Sequence, residues 1–163
     1  MRKLLYPALF LAIECMYAAD PPAMKEGLWS IHTVSIDQPT NHKTDGNQSL
    51  CRNHAYDDRV RALAAQQSMK SSCKTVSENS TGGTTTTETK CTVAGSVLDT
   101  KAVVTFNGDS AHSETHTTYT PAMYGTSETT MVMDQKYMGA CPAGVEPGDR
   151  VGADGKIIHR TSK

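Results

Sequence analysis

The sequence predicts a mainly β fold: a curved antiparallel sheet of about six strands with one amphipathic helix and two disulfides. Segments rich in threonine, valine and isoleucine alternate with short clusters of glycine and asparagine, a pattern typical of strands joined by tight turns. A single stretch has helical spacing of its apolar residues. Four cysteines follow an apolar leader, which indicates a disulfide framework in an exported chain.

The leader has the pattern of a secretory signal peptide. Arg2 and Lys3 give it a basic start, an apolar run follows, and small residues end it at Ala19. The run is shorter than the about 20 apolar residues of a membrane span, and it contains Glu14. We therefore predict that residues 1–19 are cleaved and that the mature protein is periplasmic.

The mature chain has the length of one domain. We expect a single disulfide-linked β-rich domain over residues 20–141 and a weakly ordered tail, rich in glycine and proline, over residues 142–163. The formal net charge of the full sequence is −1 and no basic stripe is present, which argues against nucleic acid as a partner. No apolar run long enough to cross a membrane follows the leader.

Six segments have the composition of strands, since they are rich in β-branched residues and bounded by turn formers. In chain order they are Gly27–Ile36, Cys73–Glu78, Thr84–Val93, Ser96–Phe106, Asp109–Tyr119 and Gly125–Tyr137. We interpret the polar residues 37–49 as a loop. Because short turns join neighbouring strands, we expect an antiparallel meander.

One stretch, Asn53–Met69, is predicted to be the helix. Asn53 can cap its N-terminus, and Asp57 and Asp58 lie in its first turns, where the helix dipole favours negative charge. Apolar side chains recur at helical spacing along it. We therefore expect an amphipathic helix packed on or beside the sheet.

The cysteines of the mature chain are Cys51, Cys73, Cys91 and Cys141. If the two strands that carry Cys73 and Cys91 turn around Gly82, these cysteines lie opposite each other at a distance that suits a disulfide. This register predicts the pair Cys73–Cys91 and leaves the pair Cys51–Cys141. No spacing is that of a zinc ribbon.

No residue set has the pattern of an enzyme active site. Cys51 and His54 could form a thiol–imidazole pair, but a disulfide is the expected state of Cys51 in an oxidising compartment. No glycine-rich phosphate loop, nucleophile elbow or H-E-x-x-H motif occurs. We therefore expect a protein that is not an enzyme and carries no cofactor.

The candidate metal ligands lie in the last two predicted strands. His112, Glu114 and His116 alternate along one strand and therefore share a face. Met131 and Met133 share a face of the next strand, and thioethers bind Cu(I). A periplasmic copper- or zinc-binding protein that uses these side chains is the alternative function. Thioethers also fill irregular cores, and we favour core packing for the methionines.

The hairpin register favours ion pairs over a metal site. A two-residue turn at Asn107-Gly108 places Glu114 opposite Lys101 and His116 opposite Asp99. These are ordinary charge pairs of a solvated face. The two outer histidines are also roughly 13 Å apart along an extended strand, too far for one metal ion.

The same register gives the sheet an apolar inward face. Leu98, Ala102, Val104 and Phe106 lie on it, opposite small or polar residues. Such a face forms either a shallow core, which is the default, or the lining of a cavity for an apolar ligand. Our first functional hypothesis is a non-enzymatic periplasmic protein that binds an apolar small ligand or an envelope protein on its sheet.

Short motifs suggest a family. Gly27-Leu28-Trp29 opens the first strand, Cys51 precedes the helix, Cys73 and Cys91 flank a hairpin, and Tyr137-Met138-Gly139-Ala140-Cys141 closes the pattern. In these features the chain resembles the bacterial family called domain of unknown function 3617 (DUF3617), roughly from Pro22 to Cys141. The resemblance implies a proteobacterial, periplasmic protein and supplies no catalytic residues.

Overall fold

The computed structural model describes residues 24–70, 72–152 and 154–159. Over these residues the protein is mainly β, with one helix and one antiparallel sheet, as predicted. The sheet has nine strands, so the prediction of about six is wrong. The predicted signal peptide, residues 1–19, lies outside the described residues.

Seven long strands form most of the sheet: β1 (Gly27–Gln38), β2 (His42–Arg52), β3 (Ser72–Thr81), β4 (Thr84–Val93), β5 (Ser96–Asn107), β6 (Ser110–Met123) and β7 (Thr126–Gly139). Two short strands follow them, β8 (Arg150–Val151) and β9 (Ile157–Ile158). The helix α1 (His54–Lys70) lies between β2 and β3 in the chain. Across the sheet the strand order is β3-β4-β5-β6-β7-β1-β2-β8-β9.

Strand β2 replaces most of the predicted loop over residues 37–49. It pairs with β1 along its whole length, from His42 opposite Asp37 to Arg52 opposite Gly27. The first half of β2 is polar and exposed, so no alternation of apolar and polar residues marks it as a strand. Backbone pairing with β1, and not side-chain burial, holds this half in the sheet.

The chain after Cys141 packs against the end of β2. Val145 and Asp149 are buried there. The Cys51 amide donates to the Asp149 carbonyl oxygen (3.1 Å), and the Gly148 amide donates to the Cys51 carbonyl oxygen (2.8 Å). Strand β8 pairs with β2, and β9 pairs with β8. The described part of the segment that we expected to be weakly ordered therefore contains strands and buried residues.

Helix α1 crosses one face of the sheet. Strands β2 and β3 are consecutive in the chain but six positions apart in the sheet. Six strand spacings amount to about 29 Å, and a helix of 17 residues is about 26 Å long. Because α1 joins the end of β2 to the start of β3, it spans nearly the whole width of the long strands.

The helix begins where the sequence predicts. The Asn53 side-chain oxygen accepts a hydrogen bond from the Tyr56 amide (2.8 Å), which is an N-cap. The prediction of an amphipathic helix is wrong over residues 54–66, because the apolar side chains of this part form no buried stripe along the helix. Val60 and Leu63 are exposed, while Tyr56 and Asp57 in the first turn are half-buried.

Side-chain alternation gives the sheet two unlike faces. We call the face beneath α1 the apolar face, and its members include Trp29, Ile31, Leu50, Leu98, Val104, Phe106, Ala111 and Tyr137. We call the opposite face the charged face, and its members include His32, Asp45, Lys101, His112, Glu114, His116 and Asp134.

The most deeply buried side chains lie at one end of the apolar face. Trp29 and Cys51 are fully buried, and Ile31 is nearly so. The Trp29 indole Nε1 donates to the Lys25 carbonyl oxygen (2.8 Å), and its ring packs edge-on against Tyr137 at 5.7 Å between ring centres. A buried indole with a satisfied N–H gives a large apolar contact and a fixed orientation.

Gly27 allows β1 and β7 to meet closely at this end. Its φ is +140°, and a Cβ atom there would lie 2.2 Å from the Gly139 carbonyl oxygen. Beside it the ladder shifts, because Leu28 pairs with Gly139 and Trp29 pairs with Tyr137, which leaves Met138 as an extra, exposed residue. Gly27 and Gly139 therefore both take part in one close contact between β1 and β7.

Both disulfides have the predicted pairing, Cys51–Cys141 and Cys73–Cys91. The β3–β4 hairpin turns at two glycines and not around Gly82 alone, since Thr81 pairs with Thr84. With that register alone, Cys73 would lie opposite Thr92 and not opposite Cys91. A bulge at Val76 adds one residue to β3 and brings Cys73 directly opposite Cys91.

Candidate functional site

A cavity of about 480 Å³ lies between α1 and the apolar face. Small-molecule sites in proteins measure about 300–1,000 Å³, so this volume suits a small organic ligand. Its sheet side comes from six strands and carries Ile31, Leu50, Val104, Phe106 and Ala111. Its helix side comes from the first two turns of α1 and carries Tyr56, Val60 and their neighbours.

The protein does not fill this cavity with its own side chains. Val60 and Val104 line it and keep 43% and 40% of their surface exposed. Small residues surround the larger ones, since Phe106 pairs with Ala111 and Val104 pairs with Ser113 and Thr85. Exposed apolar surface costs roughly 25 cal/mol per Å² relative to buried surface. A ligand that covers these side chains recovers that free energy.

A polar cluster of three residues lies within the apolar lining. Arg52 donates from Nε and from one terminal nitrogen to Asp57 Oδ1, each at 2.9 Å. Its other terminal nitrogen donates to Gln135 Oε1 at 3.1 Å. The side chains of Arg52 and Asp57 are only 17% and 14% exposed, so this ion pair is largely removed from solvent.

The polar cluster also fixes the start of α1 relative to the sheet. Arg52 is the last residue of β2, Asp57 lies in the first turn of α1, and Gln135 belongs to β7. The Asn53 cap sets the path of the chain between the two charged residues. The ion pair therefore joins helix and sheet at the point where the cavity begins.

Sequence patterns identified part of this site. Val104 and Phe106 are predicted on the inward face, and both line the cavity; Leu98 and Ala102 share that face but lie outside the lining. Arg52, Asp57 and Gln135 were missed. They come from three elements, and no periodicity or spacing connects them.

The predicted β5–β6 register is wrong. The turn is Gly108-Asp109, and Asn107 still belongs to β5, where it pairs with Ser110. Gly108 has a φ of +59° at the first turn position, as in a type II′ turn.

The correct register changes the partners of the candidate metal ligands but not their face. His116 pairs with Lys101 instead of Asp99, and Glu114 pairs with Val103 instead of Lys101. The shift is two residues, and side chains alternate with a period of two, so every residue keeps its predicted face.

Carboxylates occupy both ring nitrogens of His112. Nδ1 donates to Asp134 Oδ1 (2.7 Å) and Nε2 donates to Glu114 Oε1 (3.2 Å). The hydrogen bond to Asp134, and then the one to Glu114, raise the pKa of His112 above its ordinary value. Because both nitrogens donate, this arrangement favours the imidazolium form, which has no lone pair for a metal ion.

The structure does not bring the candidate metal ligands together. His112, Glu114 and His116 lie on the charged face, whereas Met131 and Met133 lie on the apolar face. Among the described residues, no group of three or more histidine, cysteine, aspartate or glutamate side chains could hold a metal ion. Nothing in the described chain therefore supports the copper or zinc hypothesis.

Cys51 and His54 do not form a thiol–imidazole pair, because Cys51 has no free thiol. Cys51 is bonded to Cys141 and is fully buried. His54 instead lies at the start of α1, where its Nε2 is 3.1 Å from the Met24 carbonyl oxygen and its amide donates to Glu26 (3.0 Å). Its place in the cavity lining is thus that of a structural residue at the helix start.

The fold and the cavity define a class of protein: an antiparallel sheet with two disulfides, crossed by one helix that covers an apolar cavity. A family model described as a protein of unknown function (DUF3617) matches residues 24–141. The chain belongs to this family. Comparisons with curated proteins and with solved structures found no match.

The matched range runs from the start of the described chain to Cys141 and so includes both disulfides and all seven long strands. Strands β8 and β9 lie outside it. Within the described residues, no helix has the length and apolar character needed to cross a membrane.

Proposed function

We propose that this protein is an exported, periplasmic binding protein without enzymatic activity, and that it holds an apolar small molecule in the cavity between α1 and the apolar face. The cavity carries the proposal, since its apolar lining is left uncovered by the protein itself. The two disulfides and the leader sequence support export, because structural disulfides persist in oxidising compartments.

The geometry favours a small molecule over a folded partner. Helix α1 lies across the apolar face, so an occupant must fit between helix and sheet. A volume of about 480 Å³ holds a ligand of drug size and not a protein segment with its own secondary structure.

Fluorescence titration with the apolar probe N-phenylnaphthylamine tests the proposal on the oxidised mature chain, residues 20–163. We expect saturable binding at one site, with displacement by long-chain apolar molecules. Thr85→Trp should fill the cavity from β4 and weaken binding at least about tenfold, because its side chain points into the lining.

The matched control is Thr86→Trp, on the next residue of the same strand. Thr86 lies on the charged face, so the same substitution there should leave probe affinity unchanged. Absence of saturable binding to the wild-type chain, or equal affinity of the two variants, would contradict the proposal. Native mass spectrometry of protein from its own periplasm would then identify any retained ligand.

A further inference from the structure

We infer that the ligand of this cavity is uncharged and carries a carbonyl group, of the ester or amide type, with apolar groups on both sides. This inference rests on the proposed function, since it names the chemistry of the same site. Three features of the lining lead to it: its balanced charges, one amide donor, and the position of that donor among apolar side chains.

The charges in the lining are already paired. Arg52 is bound to Asp57, and Arg61 is bound to Asp58, so two cations face two anions. A carboxylate or ammonium group that entered the cavity would lose its water without finding an unpaired charge. Burial of an unpaired charge is strongly unfavourable, so the lining selects neutral ligands.

Gln135 supplies the donor. Its Oε1 accepts from Arg52, which fixes the orientation of the amide group and leaves Nε2 as the donating end. Among the described residues, Nε2 has no hydrogen-bond partner, and Gln135 lines the cavity. An amide N–H₂ group recognises an acceptor, of which a carbonyl oxygen is the simplest uncharged kind.

The position of Gln135 sets the place of that acceptor in the ligand. Gln135 pairs with Ile31 on one side and with Ala111 on the other, and Ala111 pairs with Phe106. These four residues form a row across four strands, about 14 Å long. Gln135 lies inside this row and not at its end, so a ligand that follows the row and accepts from Gln135 has apolar groups on both sides of its acceptor.

Competition against the fluorescent probe tests the inference with three ligands of matched length: the ester butyl octanoate, the hydrocarbon tridecane and the anion dodecanoate. We expect the ester to bind more tightly than dodecanoate. We also expect Gln135→Leu to lower the ratio of ester to hydrocarbon affinity about tenfold, because it removes one hydrogen bond and adds apolar surface.

Gln48→Leu is the matched control. Gln48 pairs with Ile31 on β2 and shares the apolar face, but it lies outside the lining, so the affinity ratio should not change. An unchanged ratio in Gln135→Leu would overturn the inference while probe binding still supports the proposed function.

If Gln135→Leu does not fold, the affinities of the wild-type chain for the ester and for dodecanoate test the inference. Tighter binding of dodecanoate than of the ester would overturn the inference, and so would equal affinity for the two. Loss of binding for the probe and all three ligands would overturn the proposed function together with the inference.

Discussion

Two regions of the sheet are held together in different ways. At the packed end, Trp29 and Cys51 are fully buried, and a disulfide joins residues 90 positions apart in the chain. At the open side, nearly every residue of β3 is exposed, and the disulfide joins two strands of one hairpin, 18 positions apart. The packed end is stabilised by buried side chains, and the open side by backbone pairing and a local covalent link.

The difference between the two regions explains where the cavity lies. Its lining begins at the packed end, with Ile31 and Leu50, and extends to Thr85 at the open side. The packed end supplies rigid apolar walls, and the open side supplies small side chains that leave room. The cavity therefore has well-packed apolar side chains at one end and small side chains at the other.

Removal of the two disulfides should affect the two regions unequally. Chain-entropy arguments give about 4.6 kcal/mol for Cys51–Cys141 and about 3.2 kcal/mol for Cys73–Cys91, because the first closes the longer loop. We expect the double alanine variant of the first pair to lose about 1.4 kcal/mol more stability than that of the second. Urea unfolding of the two variants measures this difference, and equal losses would show that the two regions are equally held.

Side-chain truncation should also affect the two regions unequally. Trp29→Ala should cost about 3–5 kcal/mol, because it leaves a cavity beside Tyr137 at the packed end. Val76→Ala on the open side should change stability by no more than about 0.5 kcal/mol, because Val76 is 64% exposed. Thermal unfolding of both variants is the measurement, and a large loss in Val76→Ala would mean that β3 has a partner that buries it.

A smaller effect than that of Trp29→Ala is expected on the charged face, between the two regions. Asp134 raises the pKa of His112, so protonated His112 stabilises the folded state. This contribution is fully present below the unfolded pKa of about 6.5 and is lost as the pH rises through the higher folded pKa. Its size is at most about 1 kcal/mol, because the side chain is 45% exposed.

Histidine NMR titration of Asp134→Asn should show a lower pKa of His112 than in the wild-type chain. Unfolding measured at several pH values should show that the variant loses more stability in acid than in base. Glu128→Gln is the control, since Glu128 lies near His116 and not near His112. An unchanged pKa of His112 in Asp134→Asn would rule out this hydrogen bond as the cause.

Local signals in the sequence accounted for most of the elements. Six strands, the helix with its Asn53 cap and both disulfide pairs follow from β-branched runs, turn residues and helical spacing. Strand β2 could not be recognised, because its first half is polar and is held only by pairing with β1. The sequence also did not predict that α1 crosses the sheet. This path follows from the pairing of β1 with β7, which places β2 and β3 six positions apart.

The candidate site was predictable only in part. The apolar face follows from alternation, which survives the two-residue error in the β5–β6 register. The pairing of Cys73 with Cys91 was correct, although the bulge at Val76 that produces it carries no signal in the sequence. The cluster of Arg52, Asp57 and Gln135 is a product of the tertiary fold, so only the structure shows it.

The strand order has a consequence for how the protein folds. Every ladder between the seven long strands joins neighbours in the chain, except that between β1 and β7, where Thr33 pairs with Met133, 100 residues further along. The local hairpins can form early, whereas the β1–β7 ladder must wait for a long loop to close. The Cys51–Cys141 bond lies at this same end and joins residues 90 positions apart, so it covalently closes the long loop that the β1–β7 ladder closes by pairing.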